Sequence, residues 1–229
     1  MNGTATLPGA SPPRIWPMYR AMVGVGLFCG LLIVGVFQLT RPVIEAKKAA
    51  ALQRAILQVL PEATSSATFR LDDAERFVAQ DEAVAAGDRV VYAGYDDAGR
   101  LVGLAVEARG MGYQDVIVVL YGYAFERDAL IGVQVLESRE TPGLGTKIET
   151  DPEFLANFQA LDVSLDAAGA SLAHPVEGVK HGRKEHPWQV DGITGATISS
   201  MALADMLRDS TEFWVPRIRR SLDEFRKVD

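Results

Sequence analysis

Val116–Phe125 reads VIVVLYGYAF, ten residues without a charge and filled by β-branched and aromatic side chains. That composition is the signature of a buried strand. Glu126-Arg127-Asp128 interrupts it, and Ala129–Leu136 resumes the apolar pattern, which makes an antiparallel pair. Upstream, Arg89–Tyr95 and Leu101–Val106 flank Asp96-Asp97-Ala98-Gly99-Arg100, the composition of a hairpin loop. Helical spacing lies outside this block. Over residues 43–60, Leu52, Ile56, Val59 and Leu60 recur at i, i+4, i+7 and i+8, and Pro61 ends the pattern. Helical pattern returns over Asp151–Ala160 and again from about Thr197 to Phe225, with a kink expected near Pro216. The order predicts an α+β domain: an antiparallel sheet with helices packed against it.

Towards the amino terminus, Ala21–Leu39 carries no charge over 19 positions and is bracketed by Arg20 and Arg41. At a rise of 1.5 Å per residue this spans about 28 Å, close to the ~30 Å core of a bilayer. A long polar segment precedes it, and Gln38-Leu39-Thr40 offers no small-residue cleavage site, so the run reads as a retained membrane helix rather than a signal peptide. The expected layout is a flexible tail over 1–20, a transmembrane helix over 21–40 and a stalk over 41–62, with the main domain at 63–229. Residues 1–48 carry a net +4 and the whole chain −7, which leaves −11 on residues 49–229. An acidic domain makes nucleic acid an unsuitable partner, because phosphate contacts need clustered cations. The positive charges fall on both sides of the span, so they do not orient it. A single cysteine, Cys29, excludes an internal disulfide, and one thiolate with scattered histidines builds no zinc or iron–sulfur site. Any redox chemistry therefore needs an organic cofactor.

Two segments look unlike core or ordinary loop. Asp191-Gly192-Ile193-Thr194-Gly195-Ala196-Thr197 leads into an amphipathic helix whose inner face is traced by Leu203, Met206, Leu207, Ser210 and Trp214. Gly195 and Ala196 let the backbone approach a bulky ligand. Thr197 then stands at the helix start, where free N–H groups and the positive end of the dipole favour a phosphate. Its hydroxyl is placed to carry a phosphate ester, and Asp191 to orient a hydroxyl or assist attachment. The competing reading is an ordinary cap with Thr194 as the capping residue. The second segment is Glu140-Thr141-Pro142-Gly143-Leu144-Gly145-Thr146-Lys147. Pro142 fixes a turn, Gly143 and Gly145 allow the backbone to lie close over a flat ring, Leu144 supplies apolar cover, and Lys147 faces a phosphate or the ring edge. Lys180–His186 is a basic island read as solvated loop, and Trp188 is read as a core anchor.

The first segment resembles the motif that a dedicated flavin transferase modifies, joining the phosphate of FMN to the final threonine. On this chain that resemblance makes Thr197 the acceptor, with Asp191, Thr194, Gly195 and Ala196 as the rest of the motif. Thr194 stands where many relatives have serine, which keeps the hydroxyl. The second segment resembles the partner loop of the same FMN-binding domains and brings in Glu140, Thr141, Gly143, Leu144, Gly145 and Lys147. With the apolar anchor, the helix ending in Leu60-Pro61, the strand pairs and the terminal helix, the resemblance covers most of residues 20–215. It points to the G subunit of the Rnf electron-transport complex, a relative of the C subunit of the sodium-translocating NADH:quinone reductase. What it implies is a single-pass electron carrier of the bacterial cytoplasmic membrane, its FMN-binding domain on the periplasmic side. Membrane and peripheral subunits would be its partners, in a complex coupling electron flow between NADH and ferredoxin to ion translocation. The alternatives are the equivalent quinone-reductase subunit, a membrane-anchored assembly module without redox chemistry, and a stand-alone flavin reductase. The last lacks any dinucleotide-type glycine fingerprint after a strand.

Overall fold

The computed structural model describes residues 15–80 and 88–226, and two compact units divide the chain, Met1–Ala49 and Ala50–Asp229. Residues 1–14 of the expected flexible tail lie outside the described residues, and residues 16–20 already belong to a helix. That helix, α1 (Trp16–Val59), runs through Pro42, so the stalk continues the apolar span in one element. Within the first unit its large apolar side chains are unburied: Leu27, Phe28, Leu31 and Ile33 are 65–66% exposed. A helix apolar on all sides needs an apolar surrounding, and this one is long and apolar enough to cross a membrane.

In the second unit the elements run β1 (Ser65–Leu71), β2 (Phe77–Ala79), β3 (Val90–Tyr95), β4 (Leu101–Met111), β5 (Val116–Ala124) and β6 (Ala129–Glu137). Then follow α2 (Lys147–Thr150), α3 (Pro152–Ala156), β7 (Leu161–Asp162), β8 (Glu177–Val179), β9 (Gln189–Asp191), α4 (Thr197–Arg220) and α5 (Leu222–Phe225). Seven strands form one antiparallel sheet in the order β2-β1-β3-β4-β5-β6-β7, while β8 and β9 make a separate parallel pair. Both predicted hairpins are present, β3–β4 and β5–β6.

Strand alternation sends successive side chains to opposite faces, and here both faces are covered. Val91, Ala93, Leu104, Val106, Val119 and Tyr121 join a large core with Leu203, Leu207 and Val215 of α4. Their neighbours Val90, Tyr92, Ala105 and Leu120 join a second core with Ala55, Ile56, Val59 and Leu60 from the end of α1. Burial on both sides explains why VIVVLYGYAF is apolar throughout rather than alternating. The end of α1 approaches closely because the sheet beneath it lacks side chains. Gly94 pairs with Gly103 across β3–β4, and Gly122 with Gly132 across β5–β6. A Cβ on Gly94 or Gly103 would stand 2.7 or 2.8 Å from the Leu60 methyls, and one on Gly122 would strike the carbonyl oxygen of Val59.

The terminal helix passes through Pro216 to Arg220, and the break expected near Pro216 comes instead at Ser221. Arg217 pairs with Glu75 at 2.9 Å and Arg219 with Asp128 at 3.5 Å. In α5, the Glu224 carboxylate accepts the Phe77 N–H at 2.6 Å, and the Tyr95 hydroxyl donates to the Phe225 carbonyl at 2.7 Å. The carboxyl end of α4 is thus fixed to the sheet, and its amino end is left facing the loops that carry the two motif segments.

Candidate functional site

The loop between β9 and α4 is shaped by its small residues. A Cβ on Gly192 would stand 2.5 Å from Met201 Cε and 2.9 Å from the Val179 carbonyl oxygen. Gly195 has φ +85°, the left-handed region that L side chains avoid. The turn closes on the helix it precedes: the Ile193 N–H donates to Ser200 Oγ at 3.2 Å, and the Ser200 hydroxyl donates to the Thr197 carbonyl at 3.1 Å. Thr197 is the first helical residue, and Ala196, not Thr194, is the capping residue, with no side chain able to cap.

The consequence is a set of open donors. The first backbone bond of α4 runs from the Ser200 N–H to the Ala196 carbonyl at 3.0 Å. Among the described residues, no hydrogen bond uses the N–H of Thr197, Ile198 or Ser199. Thr197 is exposed, and its hydroxyl makes one long bond, 3.4 Å, to the Ile193 carbonyl. An exposed hydroxyl beside free N–H groups at the positive end of a 24-residue helix suits a phosphate ester.

The second segment lies against this turn. Gly143, at φ +77°, donates its N–H to Thr146 Oγ1 at 2.9 Å, and the Thr141 carbonyl accepts from Leu144 at 3.1 Å and Thr146 at 3.3 Å. That compact loop holds Leu144 51% exposed. Glu140 points the other way. It is 4% exposed and accepts from Ser199 Oγ at 2.5 Å and from the Gln114 N–H at 3.0 Å. Lys147 opens α2 and shares a cavity of about 200 Å³ with Thr194, Asp191, His181 and Asp151. A larger groove of about 820 Å³ runs between β4 and α4, with Thr197 and Ile198 at one end and Ala108, Gly110, Ala202 and Met206 along it. The structure therefore gathers Thr194, Asp191 and Lys147 in one hollow, sets Thr197 on the adjoining groove, and places Glu140 and Gly145 behind both.

Asp191 has a defined structural task. Its carboxylate accepts the N–H groups of Gly182 at 3.0 Å and Arg183 at 3.4 Å, and lies 3.6 Å from His181 Nδ1. The basic island is thereby folded against the motif. Lys184 donates to Asn157 Oδ1 at 3.0 Å, and partial burial holds its ammonium below the usual lysine range, against the opposing pull of Asp191. Trp188 is half-buried and stacked between His174 and His186, with ring centroids 3.8 and 4.4 Å away, so it anchors the loop at the surface rather than in the core. Sequence reasoning missed Asn157, whose side chain grips the Asp191 backbone on both sides at 3.0 and 3.2 Å. Nothing in the local pattern marks it. Ser199 and Ser200 were also missed, although they directly follow the motif.

Residues 112–212 match the FMN-binding domain family. Over 208 residues the chain is 30% identical to the G subunit of the ion-translocating oxidoreductase complex of Cereibacter sphaeroides, covering 88% of this chain and 87% of that protein. This chain belongs to that G-subunit family. The G subunit of Methanosarcina acetivorans is 39% identical over 122 residues, 53% of this chain and 56% of its own length. That of Haemophilus influenzae is 32% identical over 138 residues, 59% of this chain and 64% of its own length. The chain thus spans less than two thirds of these two relatives. The fold is that of the Shewanella oneidensis NqrC crystal structure, with a TM-score of 0.56 at 20% identity, covering 79% of this chain and 97% of that one. The C subunit of the Na⁺-translocating NADH-quinone reductase from Parabacteroides distasonis gives 0.57 at 18% identity, covering 80% and 96%. Family and fold agree with the α+β reading and with an FMN-binding domain.

Proposed function

We propose that this chain is a membrane-anchored electron carrier holding one FMN by a phosphoester to Thr197. Its setting is an Rnf-type complex that couples electron transfer between NADH and ferredoxin to ion translocation. The observation that carries the reading is the exposed Thr197 hydroxyl at the first position of α4, beside N–H groups without protein acceptors. Bound FMN supplies one- and two-electron redox chemistry, and the protein supplies attachment, orientation and electrostatics. The N–H groups of Thr197, Ile198 and Ser199 would hold the FMN phosphate, with Thr194 and Lys147 available from the neighbouring hollow. The 141–146 loop, with Leu144 exposed, would supply apolar cover for the ring system. No side chain here has to act as acid or base once the flavin is in place.

Free FMN does not esterify a threonine in water without activation, so a flavin transferase with an activated donor has to make the bond. Covalent retention suits a domain on the periplasmic side of a bacterial cytoplasmic membrane, where a lost flavin is not replaced. The span in α1 anchors it there, among the other subunits of the complex. The test is co-expression of the full chain with a flavin transferase, followed by in-gel fluorescence and intact mass under denaturing conditions. The expected result is one FMN-phosphoryl adduct on the native chain and none on Thr197→Ala. A fluorescent Thr197→Ala band, or a native chain that takes up no flavin, overturns the attachment.

A further inference from the structure

Glu140 lies in an exposed loop yet is itself only 4% exposed. Two glycines clear its place. A Cβ on Gly145 would stand 2.5 Å from Oε2, and one on Gly112 would collide with Oε1. Its partners are the Ser199 hydroxyl and the Gln114 N–H, one to each oxygen. Three segments far apart in sequence therefore meet on one side chain: the turn after β4, the loop over 140–146 and the first turn of α4. Ser199 is 2% exposed and only two residues beyond Thr197.

A buried carboxylate is costly unless hydrogen-bonded and favourably placed in the local field. Glu140 has both compensations, because it reaches the positive end of α4, whose capping residue Ala196 offers no side-chain acceptor. It touches the acceptor helix from the inside, through buried Ser199, while Thr197 and Ile198 are exposed. We propose that Glu140 is the positioning residue of the acceptor: through Ser199 it fixes the first turn of α4, and so the direction in which Thr197 presents its hydroxyl. This rests on the attachment at Thr197 and goes beyond it. In that attachment, Thr197 Oγ1 forms a bond to the flavin-bearing phosphorus and the phosphoanhydride bond to a nucleotide breaks. The hydroxyl proton passes to the transferase or solvent. With a flavin adenine dinucleotide donor, AMP leaves. Glu140 takes no proton and touches no reacting atom.

The test uses the full chain in detergent, a purified flavin transferase and flavin adenine dinucleotide, with attachment followed by intact mass. Glu140→Ala is expected to slow attachment at saturating chain at least tenfold, with the KM for the chain changed less than twofold. Glu140→Gln is expected to restore the rate to within threefold, since its amide offers an oxygen to Gln114 and an NH₂ to Ser199. Ser199→Ala should slow attachment to a similar degree, and the double variant Glu140→Ala/Ser199→Ala should be no slower than Glu140→Ala alone. A flavin-free readout stands beside these: hydrogen exchange at the Ser200 amide, which closes the first turn on the Ala196 carbonyl at 3.0 Å. Exchange should quicken at least tenfold in Glu140→Ala and recover in Glu140→Gln. If Glu140→Ala does not fold, Glu140→Gln and Ser199→Ala decide. Native attachment in Ser199→Ala with native Ser200 exchange overturns the proposal, as does native behaviour of Glu140→Ala on both counts. Flavin on a Thr197→Ala chain defeats the attachment site instead, and the exchange measurement still judges the role of Glu140.

Discussion

Replacing Gly122 by alanine puts one methyl group where the end of α1 meets the sheet. The ideal Cβ position collides with the Val59 carbonyl oxygen and stands 2.9 Å from the Val59 carbonyl carbon and 3.1 Å from Leu60 Cδ2. The obstacle is backbone, which cannot rotate away, so α1 has to lift or β5 has to sink. Overpacking of this kind costs about 1–3 kcal/mol, and a backbone obstacle puts Gly122→Ala near the upper end. Alanine regains about 0.5–1 kcal/mol of the backbone entropy that glycine loses on folding. The net expectation is a loss of about 2 kcal/mol, or roughly 4–8 °C in the melting of a unit this size. Gly132 on β6 is the internal control. A Cβ there stands 3.3 Å from Val59 Cα and 3.5 Å from its carbonyl oxygen. A displacement of a few tenths of an ångström relieves that, so the entropy gain offsets it to within about 0.5 kcal/mol. Near-ultraviolet circular dichroism of the full chain in detergent, recorded through heating, reads both variants. A Gly122→Ala chain that melts within a degree of the native one refutes the close seating of α1, and so does a Gly132→Ala chain that falls as far.

Gly195→Ala forces an L side chain to φ +85° in open space. It should cost about 1–2 kcal/mol from backbone strain alone, read as a lower melting temperature together with slower flavin attachment. Burial pushes the phenols of Tyr92 and Tyr95 up to about 12, with Glu107 adding to the effect at Tyr92. In both, the folded value lies above the unfolded one, so their stabilisation is complete below about pH 10 and is lost as pH rises towards 12. Urea midpoints should therefore fall over that window, and less steeply in Tyr92→Phe; a midpoint unchanged to pH 12 would refute the burial argument.

The two long hairpins were legible because runs of β-branched and aromatic residues are separated by short polar turns at Val90–Met111 and Val116–Glu137. The helix start at Thr197 was legible from the motif, and the phosphate site proposed there rests on the chemistry of helix ends. The strands missed were those with little local signal. SSATFRL of β1 is half polar, and β7, β8 and β9 are two or three residues long, held by partners distant in sequence. The helical pattern over Asp151–Ala160 yields only Pro152–Ala156, because Asn157 turns its side chain back to the Phe154 carbonyl at 3.0 Å and to Asp191. The resemblance put Glu140 among the cofactor-binding residues together with the rest of its loop. Only the third dimension shows that the glycines beside it make room for an inward carboxylate.

The sheet glycines under Val59 and Leu60 also act as a phase reference for the helix that ends on them. Each residue of an α-helix advances the side-chain direction by about 100°. One residue inserted between Ile56 and Val59 would therefore turn Ala55 and Ile56, each 0–4% exposed, about 100° away from the face on which Val59 and Leu60 meet the sheet. Four inserted residues come back to within about 40° of the starting direction and one to two do not. The length of this segment is therefore constrained in steps of a helical turn, a rule set by the sheet rather than by anything in the helix itself.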